Sequence, residues 1–225
     1  MKFDNEKYTK EKYIDNHKGG YGTCNIIEKY LKGESLLDIG CGDGYLLNKT
    51  RYKFKFSMGL EMSKIATKLC LSKGLNVLSK KIEDFNTSQR FDSIVATDVL
   101  EHVEDINSVC RKVKSLLSEN GVFVVVLPNP NSIKSLLKIV RNPRDDPAHV
   151  YCPTLKEAKN IFKSNGFIIK KINGIGKFKN IPRFSSGMVF ILTKNDNFFL
   201  KCEKCGSNEK PDDELNCFKC GSERI

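Results

Sequence analysis

No apolar run in the 225 residues is long enough to cross a membrane: the longest, residues 122–128, is strand length, whereas a spanning helix needs about 20 predominantly apolar residues. No membrane insertion is therefore expected. The opening stretch, MKFDNEKYTKEKYIDNHKGG, is charged and lacks the apolar segment of a secretory signal, so the expectation is no export and a cytoplasmic protein. Internal repeats and low-complexity tracts are absent. The formal charge of +11 favours anionic partners in principle, yet it is not gathered in one basic tract. Lysines are scattered along the chain with no aromatic-interleaved RNA-binding motif beside them, which reads as a solvated lysine-rich surface. Histidine is scarce, at three positions, and His17 has no motif around it.

What is present fits one α/β core with a short appendage. Of nine cysteines, Cys24, Cys41, Cys70, Cys110 and Cys152 are dispersed, as small buried hydrophobes usually are. From about residue 35 to 126, strand-like runs alternate with helical patterns, the signature of βαβ units and a parallel sheet. Strands are expected at 36–40, 56–61, 76–79, 91–97 and 121–127, with helices at 24–31, 45–51, 64–71 and 106–117. Asn120 and Gly121 are expected to turn the chain out of the last of these helices. Residues 129–153, with four prolines and interspersed bases, break the alternation and read as a lid or binding loop. Beyond them, Thr154 and Glu157 form a capping box for a helix that Asn165 and Gly166 close. Two further strands, 167–172 and 188–193, are expected to pair as an antiparallel edge.

The run Leu36-Leu37-Asp38-Ile39-Gly40-Cys41-Gly42-Asp43-Gly44 puts three glycines at a strand-to-helix turn, where missing side chains let a ligand approach the backbone. Seventeen residues after Gly44, at the end of the second strand, Glu61 can accept two hydrogen bonds from ribose hydroxyls. The ligand is thus expected to carry a ribose. The spacing is GxGxG rather than the GxGxxG of dinucleotide folds.

This turn resembles motif I of class I S-adenosylmethionine-dependent methyltransferases, and Gly59-Leu60-Glu61-Met62-Ser63 resembles the acidic motif that follows it. The resemblance continues through Phe91-Asp92-Ser93-Ile94-Val95, Asp98-Val99-Leu100-Glu101-His102-Val103-Glu104-Asp105 and Leu127-Pro128-Asn129. It is similar to the LEHV pattern of the group that includes the ubiquinone-pathway O-methyltransferases and many enzymes of glycan and natural-product clusters. The resemblance covers roughly residues 24–194. It implies a Rossmann-like class I methyltransferase sheet, mostly parallel with an antiparallel edge, with S-adenosylmethionine as cofactor. It also implies cofactor contacts from Asp38, Gly40, Cys41, Gly42, Gly44, Glu61, Met62, Ile82 and Asp98. Where the family often has an acidic residue on the adenine, this chain has Lys81, so the Ile82 backbone amide is the adenine contact to expect.

A methyl on a sulfonium already has a good leaving group, so such a site mainly aligns the acceptor and excludes water. For a hydroxyl acceptor, His102 is the candidate base, with capping or closing the pocket as its alternative role. Glu101, expected on another face, would orient nearby amides. His149 and Tyr151, after the irregular segment, are the candidate acceptor contacts, with packing as the alternative. The acceptor expected is a small molecule or glycan precursor, methylated on oxygen or nitrogen. RNA or protein gripped by the tail and basic lid is the alternative, and a non-catalytic cofactor-binding module a third. No Asn-Pro-Pro-Tyr-type motif follows the fourth strand, where many base-modifying enzymes carry one.

At the end of the chain, Cys202-x-x-Cys205 and Cys217-x-x-Cys220, each followed by Gly-Ser, form two knuckles separated by eleven residues. Four thiolates so spaced satisfy tetrahedral zinc and fill every position, which makes the metal structural. A small zinc ribbon at 198–225 is therefore expected after a methyltransferase domain at 1–197.

Overall fold

The computed structural model describes residues 21–175, 180–182, 184–194, 200–201, 204–205, 207–209 and 220. Its centre is a seven-stranded sheet of β1 (Ser35–Ile39), β2 (Phe56–Leu60), β3 (Val77–Leu78), β4 (Phe91–Thr97), β5 (Leu117–Pro128), β6 (Ile168–Gly174) and β7 (Gly187–Thr193), in the order β3-β2-β1-β4-β5-β7-β6. The first five strands run parallel. β7 returns antiparallel against β5, and β6 pairs antiparallel with β7, which is the mixed edge expected.

Alternation along the strands sorts the core into two layers, since successive side chains point to opposite faces. On β5, Phe123, Val125 and Leu127 pack on one face with Ala158 and Phe162. Val122, Val124 and Val126 pack on the other with Ile27, Tyr30 and Leu47. Helices cover both faces, as a parallel sheet requires: α1 (Tyr21–Glu28), α2 (Tyr45–Lys49), α3 (Lys64–Ser72), α4 (Ile106–Leu116), α5 (Ile133–Leu136) and α6 (Leu155–Ser164).

Local chemistry sets the boundaries. The Ser63 hydroxyl accepts the Ala66 amide to start α3. Thr154 and Glu157 form the expected capping box, with the Thr154 amide donating to Glu157 Oε2 at 2.7 Å. Gly166, at φ +74°, ends α6 in the left-handed conformation that favours glycine. α1 stops three residues sooner than expected because Tyr30 and Leu31 form tighter turns, donating to Ile27 and Glu28.

The turn expected at Asn120 and Gly121 is not the end of α4. Leu117 already pairs with Phe91, and the next pair is Val122 with Ser93, so residues 118–121 form a bulge inside β5. Gly121 is not among the positive-φ glycines. Ser118 secures the bulge by donating to Asp92 Oδ1 at 2.9 Å. The irregular segment 129–153 also holds more structure than a loop, namely α5 and a 3-10 turn at Pro143–Asp145.

Of the four ribbon cysteines, Cys202 and Cys217 lie outside the described residues, as does most of the tail. A two-residue antiparallel pair, β8 (Leu200–Lys201) with β9 (Asn208–Glu209), brackets the first knuckle. Within that knuckle, Cys205 Sγ lies 3.2 Å from Ser207 Oγ. Among the described residues, no helix is long and apolar enough to cross a membrane.

Candidate active site

The strand order reverses between β1 and β4, and in open α/β sheets the crevice beyond the carboxyl ends of the strands at such a point is where ligands bind. The segments that leave those ends carry nearly all the residues singled out from the sequence. The turn after β1 holds Gly40, Cys41, Gly42 and Gly44, with all three glycines at positive φ (+68°, +56° and +76°). A Cβ on Gly40 would lie 2.4 Å from Val99 Cγ2, so the loop after β4 closes directly over the glycine turn. The Gly40 and Cys41 amides donate to the Leu60 carbonyl, tying the turn to the end of β2.

Glu61 stands at that end. Its Oε2 accepts the Gly42 amide at 2.9 Å and its Oε1 accepts the Ser63 amide at 2.8 Å. The carboxylate is therefore a clamp between two loops, and each oxygen retains a second lone pair for an incoming donor. Asp38 lies beneath, only 4% exposed. Burial first, then the neighbouring Glu61 and Asp43 carboxylates, push its carboxyl up from 3.8 to about 8. Met62 is half exposed beside Glu61, and the Ile82 side chain is buried in the core near Met58, Leu60 and Phe85. Asp98, exposed at the end of β4, takes φ +52°, uncommon for a residue with a side chain. Its amide donates to the Val126 carbonyl.

A second group of side chains forms where the loop after β4 meets the segment leading to α6. Leu100–His102 is a 3-10 turn. The Glu101 carbonyl accepts the amides of Val150 (2.8 Å) and Tyr151 (3.2 Å), and His102 Nδ1 lies 2.9 Å from the Ala148 carbonyl. These contacts staple the two segments together and set the His102 and His149 rings edge to face at 4.8 Å. His149 Nδ1 lies 2.6 Å from the Pro143 carbonyl and 3.2 Å from Cys152 Sγ. A carbonyl only accepts, so Nδ1 of each ring carries the hydrogen and Nε2 keeps the lone pair.

Glu101 corrects an expectation. It is 1% exposed, and its carboxylate belongs with His102 and His149, one ligand atom from each lying within 4.8 Å of the others. Tyr151 is half exposed, and burial together with the Glu157 carboxylate raises its phenol above the ordinary value.

Three contributors were given no role from the sequence. Buried Asn129 ties the start of the 129–153 segment to the β6–β7 connection, donating from Nδ2 to the carbonyls of Pro182 (3.1 Å) and Ser185 (2.9 Å). Buried Cys70 donates its thiol to the Gly42 carbonyl from behind the glycine turn. Lys73 holds Asp43 at 3.3 Å. Each acts across a tertiary contact, which spacing along the chain does not reveal.

A glycine turn facing an acidic residue across a switch point is the arrangement of α/β folds that hold ribose-bearing cofactors. Residues 17–171 match the family model described as a methyltransferase domain, and the chain belongs to that family. A ubiquinone biosynthesis O-methyltransferase of Rhodopseudomonas palustris is 30% identical over 118 residues, covering 49% of this chain and 46% of that protein. The chain thus spans about half the length of the curated relatives it matches first. An uncharacterized protein of Methanocaldococcus jannaschii is 30% identical over 161 residues, covering 71% of this chain and 59% of that one. Among solved structures, the plantazolicin methyltransferase BpumL, in complex with a pentazolic desmethylPZN analog and SAH, superposes with a TM-score of 0.66. Its identity is 18%, and the match covers 85% of this chain and 92% of that one. At that identity the likeness shows the fold.

Proposed function

We propose that this chain transfers a methyl group from S-adenosylmethionine to an oxygen or nitrogen of a small-molecule or glycan-precursor acceptor. The observation that carries the reading is the joint geometry of the positive-φ glycine turn and Glu61, clamped together at the switch point. The residues present fit the cofactor. Gly40 lets the loop after β4 close onto the turn, because a Cβ there would meet Val99, Glu61 offers ribose two further lone pairs, and the buried Asp38 carboxyl, raised to about 8, would ionise more readily beside a cationic ligand. The remaining contacts would come from Cys41, Gly42, Gly44, Met62, the Ile82 amide and Asp98.

The cofactor supplies a methyl whose carbon–sulfur bond breaks as the acceptor lone pair attacks the carbon, leaving S-adenosylhomocysteine. The protein's part is alignment, exclusion of water and proton transfer. His102 Nε2, kept as a lone pair by the Nδ1 contact to Ala148, takes the acceptor's proton. His149 and Tyr151 line the acceptor side. Seven apolar side chains are exposed between Ile133 and Tyr151, in the segment that leads to His149, and an acceptor that meets this segment is more readily organic than a phosphate-rich polymer. Of the lid's bases, Arg144 is engaged by Glu157 and the Cys152 carbonyl, and Arg141 donates to the Asp145 carbonyl. The terminal cysteines Cys202, Cys205, Cys217 and Cys220 are proposed to hold one structural zinc in a separate ribbon at 198–225.

Incubation with methyl-labelled cofactor and fractionated extract tests the reading. Label is expected in low-mass organic compounds. Label confined to RNA or protein would replace the acceptor class, and no incorporation in any fraction would favour a non-catalytic module.

A further inference from the structure

We propose that Glu101 is a positioning residue for the proton transfer: its buried carboxylate balances the positive charge that His102 acquires, and so makes that ring a stronger base. The inference rests on the assignment of His102 Nε2 as the group that takes the acceptor's proton, and it adds what holds the charge once the proton has moved. Glu101 is 1% exposed, and an oxygen of its carboxylate lies within 4.8 Å of a ring nitrogen of His102 and of one of His149. An opposite charge within about 4–6 Å favours the charged form of a titrating group. The proton passes from the acceptor to His102 Nε2 and stays there. Glu101 remains a carboxylate throughout, since a buried carboxylate can stabilise an imidazolium without itself being protonated.

Glu101 acts on His102 through its main chain as well as its side chain. Its carbonyl accepts the Val150 and Tyr151 amides, which holds in place the segment whose Ala148 carbonyl takes the Nδ1 hydrogen of His102. The edge-to-face contact with His149 at 4.8 Å fixes the plane of the ring. The tautomer and the counter-charge therefore come from one residue. The surroundings direct that charge to the imidazoles. Arg144 turns its guanidinium to the Cys152 carbonyl and to Glu157, 3.8 Å away, and the Asp146 carboxylate accepts the Ala148 amide at 3.0 Å. The Tyr151 phenol is raised by burial and by Glu157. Burial first, then the Glu101 carboxylate, push the Cys152 thiol up to about 11, so that thiol stays neutral beside the rings. α4 and β5, which also meet the turn at residues 100–102, contribute apolar Ile106, Val109 and Leu127 to the core around Leu100. The imidazoles are the neighbours of Glu101 that gain a positive charge on protonation, and a buried carboxylate gains most from such a partner because little water offsets its charge.

Proton NMR of the imidazole rings across pH, on the full chain, reads this coupling without any acceptor. The three histidines, His17, His102 and His149, give separate ring signals that single substitutions assign. In Glu101→Gln the His102 midpoint should fall by about one pH unit or more. An unchanged or raised midpoint in a variant that still melts cooperatively overturns the proposal, as does a fall confined to His149. Should Glu101→Gln not fold, carbon NMR of the unsubstituted chain answers in its place. The Glu101 carboxyl carbon should report a carboxylate at neutral pH and shift as His102 titrates, whereas a protonated carboxyl, or no response, overturns the proposal. Turnover with the extract fraction that accepts label adds a pH profile. Activity requires neutral His102, so the rate rises with pH through its midpoint. Glu101→Gln should move that rise to lower pH by the same interval and lower the plateau, because a weaker base remains. A lowered plateau with an unmoved rise is the mark of a merely structural role and counts against the proposal. Absence of methyl transfer by the parent protein would instead count against the functional reading, with the ring titration standing separately.

Discussion

Replacing Glu61 by Gln tests the clamp between the glycine turn and the end of β2. The parent carboxylate accepts the Gly42 and Ser63 amides through different oxygens, at 2.9 and 2.8 Å. A carboxamide keeps one acceptor oxygen and turns an NH2 toward the other amide, so one hydrogen bond is replaced by two donors facing each other. A hydrogen bond to a charged group contributes about 1.5–3 kcal/mol, which sets the expected loss for that one contact. A donor from ribose would lose its charged acceptor as well. A loss of this size in binding weakens S-adenosylhomocysteine by roughly 10- to 150-fold, since each 1.4 kcal/mol is about tenfold. Calorimetry gives the affinity, and a urea melt gives the stability cost of the clamp in the absence of ligand. If Glu61→Gln bound as tightly as the parent and melted at the same urea concentration, neither the clamp nor the ribose contact would hold.

Three further outcomes are expected. Because Asp38 is raised from 3.8 to about 8 by burial and by Glu61 and Asp43, its contribution to stability is full below about pH 4 and is lost as pH rises through about 8. Asp38→Asn should flatten thermal stability across that window, and an unchanged slope would refute the buried carboxyl's role. His102→Ala should lower turnover by about 10²- to 10⁴-fold while S-adenosylhomocysteine affinity holds, and parent-like turnover at saturating acceptor would leave His102 a packing role. A strong chelator, or Cys202→Ser with Cys205→Ser, should remove one zinc and expose only the tail beyond about residue 195 to protease, with cofactor binding intact. Collapse of cofactor binding with the metal would withdraw the boundary at residue 197.

The parallel strands were legible because both faces of the sheet are covered, which turns β4 and β5 into near-continuous apolar runs. The α6 cap was legible to the residue, because Thr154 and Glu157 interact through local spacing alone. The end of α4 was not. Asn120-Gly121 carries the same turn chemistry whether it caps a helix or fills a bulge, and the pairing of Leu117 with Phe91 decided between them. The nucleoside side of the site was readable from contiguous motifs. The acceptor side was only half readable: His102 and His149 stood out, but their meeting depends on main-chain contacts 46 or more residues apart in sequence. Glu101 was misplaced because its meeting with His149 is made by the segment that returns to it, through the Val150 and Tyr151 amides, which local spacing does not show.

The central claim is that the crevice between β1 and β4 binds an S-adenosyl cofactor through the glycine turn and Glu61. Titration of the purified chain with S-adenosylhomocysteine in a calorimeter tests it most directly. The account predicts one site per chain, abolished by Gly40→Val, which places a branched side chain against Val99 at a positive-φ position. Absence of binding in a parent protein that melts cooperatively would contradict the account, as would binding that Gly40→Val and Glu61→Gln leave untouched.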